Sequence, residues 1–145
     1  MATQTLDARE VMGLLAHRYP LLLVDRIEVL EAGRRVRGIK RVTAGEWATR
    51  AGGAMPGLVV VEALAQASAG ILLGILEGAA GSVGYFVGMQ RVRLRAAARA
   101  GDTLALDVEL RSFRRGIARL RGTATLDDGR LVASAEFMTV VRPAP

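Results

Sequence analysis

The chain has 145 residues, 51% hydrophobic and 23% charged, which suits one globular domain with a sizeable core and excludes a disordered segment. It has no cysteine and one histidine, His17, which excludes disulfides, a cysteine nucleophile, thiolate metal sites and a polyhistidine metal centre within one chain. Twenty Lys and Arg against fourteen Asp and Glu leave a net charge of +6, an excess that suits acidic partners (nucleic acid, an anionic membrane surface, an acidic carrier protein) or merely solvates the surface.

The first residues carry Asp7 and Glu10 and no basic segment ahead of an apolar run, so they do not read as a signal peptide. Residues 7–15 read as a short helix with Val11, Leu14 and Leu15 on one side. Pro20 ends it, and residues 21–30 and 34–42 read as a hairpin turning at Gly33. Residues 43–54 have no sustained periodicity and form a loop. The stretch 55–77, MPGLVVVEALAQASAGILLGILE, reads as a long helix, and Gly78, Gly81 and Gly84 break it. Four alternating segments follow at 85–95, 103–111, 116–126 and 131–141, with a turn at Asp127-Asp128-Gly129, and read as a meander.

Strands that alternate in this way bury one face, and the apolar helix is the natural filling for it. The expected class is α+β, one domain over residues 1–145, with a curved antiparallel sheet of about six strands wrapped around a long central helix. Residues 57–76 also match a membrane span in length. Glu62 and Gln66 in its first third, and strands that need a core to cover, favour the core helix. One sheet does not cover a helix apolar all round, so a dimer is expected to pack a second helix or sheet edge beside it.

Glu62 and Gln66 are four apart and project from one helix face. A carboxylate on so apolar a helix is costly unless it is paired or its pKa rises, so Glu62 is the first candidate for chemistry. The plain alternative is a buried carboxylate bonded to backbone or to Gln66.

Three motifs in order resemble one family. HRYPLLLVDRI (residues 17–27), MPGLVVVEALAQ (55–66) and YFVGMQRVRLR (85–95) followed by AGDTLALDVEL (100–110) resemble the FabZ-type 3-hydroxyacyl-acyl-carrier-protein dehydratases, which have the hot-dog fold. The resemblance spans roughly residues 9–140. It implies a cytoplasmic enzyme of fatty-acid or polyketide synthesis that removes water from a 3-hydroxyacyl thioester held on the phosphopantetheine of acyl carrier protein. It implies no cofactor or metal of its own, and a homodimer or trimer of dimers. It also implies that Glu62 is catalytic with Gln66 beside it, and that the Gly57 backbone N–H meets the thioester carbonyl.

The elimination needs a base for the proton alpha to the thioester, an acid for the leaving hydroxyl and a donor for the enolate-like oxygen. The first N–H groups of a helix supply such a donor, and a desolvated Glu62 could supply the acid. Arg91, Arg93, Arg95 and Arg99 are candidates for docking the acidic carrier protein, beside the plain reading of an exposed sheet face. Nucleic acid is disfavoured, because aromatics are 4% of the chain and none alternate with the arginines as a stacking platform.

One departure stands out. The family's histidine lies in an HFPG loop fourteen residues before the Glu; that position is Ala48, and the loop here is about four residues shorter. Alternatives to a self-sufficient dehydratase are therefore a non-catalytic acyl- or carrier-binding subunit, one completed by a histidine-bearing paralogue, or a hot-dog thioesterase or hydratase. His17 is the only histidine available as a substitute, against a plain loop-capping role.

Overall fold

The computed structural model describes residues 3–76 and 82–143. Seven antiparallel strands form one sheet: β1 (Gln4–Leu6), β2 (Arg26–Glu31), β3 (Arg35–Arg41), β4 (Ser82–Leu94), β5 (Thr103–Arg114), β6 (Ile117–Thr125) and β7 (Leu131–Pro143). Their spatial order is β1-β2-β3-β5-β6-β7-β4. The last four strands are thus not a simple meander. β5, β6 and β7 are, but β5 continues the sheet from β3, and β4 pairs with β7 at the far edge. The seventh strand is β1, whose three residues are too short to register as a periodicity.

The helices are α1 (Ala8–Leu14), α2 (Gly57–Ala67) and α3 (Ala69–Ile75), with a 3₁₀ segment at Trp47–Gly52. The N-terminus of α1 is a capping box: Asp7 accepts the Arg9 and Glu10 amides while Glu10 accepts that of Asp7. The long central helix is interrupted at Ser68, whose hydroxyl donates to the Ala65 carbonyl at 2.6 Å. Such back-bonding bends helices. Glu77, Gly78 and Gly81 lie outside the described residues, and Gly84 does not break the helix but sits within β4.

α2 lies across β3, β5, β6 and β7, and α3 continues over β2 and β3. Val60, Val61, Ala63, Leu64 and Ala67 form its buried stripe against Leu104, Leu106, Ala124 and Ala135. Close approach depends on absent side chains in the sheet: a Cβ at Gly38 would fall 2.8 Å from the Ala67 Cβ. At the far end Gly74 rests on the β2–β3 turn, where a Cβ would lie 2.1 Å from the Gly33 amide nitrogen.

The expected strand at 21–30 begins only at Arg26. The Leu21 and Leu22 amides donate to the Arg18 carbonyl and that of Leu23 to the Gln66 side chain, so these groups are diverted from any ladder. The β5–β6 hairpin turns at Arg115 and Gly116, both with positive φ (53° and 77°), the geometry of a tight two-residue turn.

Candidate active site

α2 starts where Met55 pairs with Ala98 (N···O 2.8 Å), with Pro56 as its N-cap. From there the helix presents Glu62 and Gln66 on one face. Gln66 is 2% exposed, yet its amide is engaged on both sides. Its Nε2 donates to the Glu62 carboxylate (2.9 Å) and to the Leu21 carbonyl (2.9 Å), and its Oε1 accepts from the Leu23 amide (2.9 Å). One side chain therefore holds both the carboxylate and the loop after His17.

That loop brings His17 to Glu62, with Nε2 3.4 Å from the carboxylate Oε1. The helix thus does not bury its carboxylate: the Glu62 side chain is 49% accessible and that of His17 39%. Both open onto a cavity of about 330 Å³ whose apolar walls include Leu15, Leu72, Val83 and Phe86. The helix is apolar all round in sequence, but its Glu62 face is exposed in the single chain.

The loop at 43–54 is committed elsewhere. Glu46 takes the Lys40 ammonium at 3.1 Å and the Thr43 amide and hydroxyl at 2.9 Å each. Burial pushes the Glu46 carboxyl up, but the hydrogen bonds from Thr43 and Lys40 outweigh it and hold it below the usual carboxylate range. Trp47 donates from Nε1 to the Pro20 carbonyl at 2.8 Å, and Thr49 donates to the Thr43 carbonyl. In place of a histidine facing Glu62, this loop braces the segment that carries His17.

Gly57, the first residue of α2, lies five positions before Glu62 and does not line the cavity. A Cβ there would meet the Leu94 side chain at 2.7 Å, so the glycine lets that side chain cover the helix start. Arg91, Arg93, Arg95 and Arg99 are exposed and also lie outside the cavity. Arg91 is taken by Glu136 at 3.1 Å, and its guanidinium holds the Glu136 carboxyl below the usual range. Among the described residues Arg93, Arg95 and Arg99 make no ion pair.

What residue order could not reveal is the His17–Glu62 contact, which spans 45 positions and is made by tertiary packing.

A sheet laid over a central helix, with a carboxylate and an imidazole side by side on a cavity with apolar walls, is the architecture of a hot-dog protein. Among solved structures, the dehydratase heterocomplex ApeI:P from Xenorhabdus doucetiae matches with a TM-score of 0.75 at 21% identity, covering 90% of this chain and 89% of that one. A hot-dog-like protein from Thermanaerovibrio acidaminovorans matches at 0.62 and 23% identity, covering 77% and 83%.

Residues 15–136 match the FabA-like domain model. The chain is 43% identical over 143 residues to the 3-hydroxyacyl-[acyl-carrier-protein] dehydratase FabZ of Syntrophotalea carbinolica, covering 96% of this chain and 97% of that protein. It is 42% identical to the FabZ of Roseiflexus castenholzii, covering 92% and 94%. The chain belongs to the FabZ-type 3-hydroxyacyl-acyl-carrier-protein dehydratase family of FabA-like domains.

Proposed function

We propose that this protein is a cytoplasmic 3-hydroxyacyl-acyl-carrier-protein dehydratase, eliminating water to give a trans-2-enoyl thioester. The observation that carries the reading is Glu62, held by Gln66 at the mouth of a cavity with apolar walls, in a chain of this family. Glu62 protonates the departing hydroxyl and Gln66 orients it, while the Gly57 N–H, which lies outside the single-chain cavity beside Leu94, receives the thioester carbonyl only once the assembled site brings the substrate to the helix N-terminus. The acyl chain lies along the apolar wall. The substrate arrives on the phosphopantetheine of the carrier protein, so the reaction calls for no cofactor of the protein's own. Arg93, Arg95 and Arg99 offer positive charge to the acidic carrier.

The working unit is a homodimer, or a trimer of such dimers. Edge strand β4 supports this, because it exposes Tyr85, Phe86, Val87 and Met89 in a nearly continuous row. An apolar edge of that length invites pairing with a second copy.

The test is hydration of a crotonyl thioester on acyl carrier protein by the purified protein and by Glu62→Ala. Activity in the first that is lost in the second by about 10²–10⁴-fold supports the reading. The second reading, a subunit that binds acyl-carrier substrates but needs a histidine-bearing relative, rests on Ala48 standing where that histidine is expected. It wins if activity is seen only after such a relative is added.

A further inference from the structure

We infer that His17 is the second acid/base group of this site, working in the same chain as Glu62; the inference rests on the dehydratase reading. Three observations carry it. Nε2 of His17 lies 3.4 Å from the Glu62 carboxylate, and both side chains open into one cavity. Nδ1 is sealed: among the described residues it is the sole buried side-chain nitrogen or oxygen without a hydrogen-bond partner, so only Nε2 can meet a substrate. Buried polar atoms without partners are few in native proteins, and functional sites are one place where they are tolerated. The third observation is the bracing. Gln66 holds the loop at Leu21 and Leu23, Trp47 holds it at Pro20, and the Arg18 guanidinium ties it to the Leu15 and His17 carbonyls at 2.8 and 2.7 Å. None of these bonds uses the imidazole. The ring is positioned by its backbone and left free for chemistry.

The reaction balances with these two groups alone. Nε2 takes the proton from C2, and the released electron pair forms the C2–C3 double bond. The C3–oxygen bond breaks as the Glu62 carboxyl proton passes to the hydroxyl, which leaves as water. The proton now on Nε2 returns to the Glu62 carboxylate across the gap between them, restoring both groups.

The experiment compares the purified protein with His17→Ala, His17→Gln and Glu62→Ala, using 3-hydroxybutyryl-acyl carrier protein and following the enoyl thioester. The expected result is a fall in kcat/KM of about 10²–10⁴-fold in both His17 variants, with thermal stability unchanged. The limb of the pH profile that reports the essential base disappears, and added imidazole restores part of the His17→Ala rate. Wild-type rates in His17→Ala or His17→Gln, with Glu62→Ala inactive, overturn the role of His17 and leave the dehydratase reading intact. An inactive wild-type protein overturns both. A slow but destabilised His17→Ala that imidazole does not rescue, beside an active His17→Gln, also overturns it, since glutamine keeps the space but supplies no base.

Discussion

The Gln66 side chain accepts the Leu23 backbone N–H at 2.9 Å, joining the central helix to a loop 43 residues earlier in the chain. The same amide donates to Glu62, so loop position and carboxylate orientation are set by one buried group. Gln66→Ala strands the Leu23 N–H and the Leu21 carbonyl, an expected loss of about 1–3 kcal/mol. Denaturant unfolding measures it. Turnover should fall further than stability explains, because Glu62 and His17 then lose their common support.

Lys40 and Glu46 form a nearly buried ion pair, their side chains 8% and 14% accessible, that anchors the loop leading into α2. Because the folded Glu46 carboxyl is held below its ordinary value of 4.5, the pair stabilises the fold fully above that value. Its contribution fades as pH falls through the lower, folded-state value. Lys40→Met should cost about 3 kcal/mol at neutral pH by leaving the carboxylate unpaired. Lys40→Met with Glu46→Gln should recover much of that loss, and a flatter acid limb in its stability profile would identify the pair as the cause.

Gly38 sits beneath Ala67 where sheet and helix approach closely, and a Cβ on it would fall only 2.8 Å from the Ala67 Cβ. Gly38→Val must push α2 away from β3, an overpacking cost of about 1–3 kcal/mol. Thermal melts report the loss. Gly101→Ala is a poor control because its φ is +97°, whereas Gly45→Ala, open on all sides, should change little.

β4 carries the dimer proposal. Val87→Asp together with Phe86→Asp should give a monomer by sedimentation with its secondary structure intact, because both side chains are exposed in the single chain. A dimer that persists would place the contact on another surface.

Local chemistry made much of this legible in advance. Period-two alternation marks β5, β6 and β7 because each buries one face, and the apolar run from Gly57 marks the core helix for the same reason. Glu62 was conspicuous as a charge on that run. Residue order could not separate a strand from a loop at 21–23, because those amides bond to Arg18 and to a glutamine side chain far along the chain. It also could not place β4 beside β7, since alternation carries no information about which edge a strand joins.

By itself the sequence determined the α+β class, the central helix, the family motifs and the absence of a histidine at position 48, all properties of composition and short-range order. Only the tertiary structure decided that His17 meets Glu62. That contact exists because α2 crosses the sheet with its Glu62 face left open, and because Gln66 and Trp47 draw the HRYP loop over that opening. Such a relation belongs to packing in three dimensions, and no spacing along the chain encodes it.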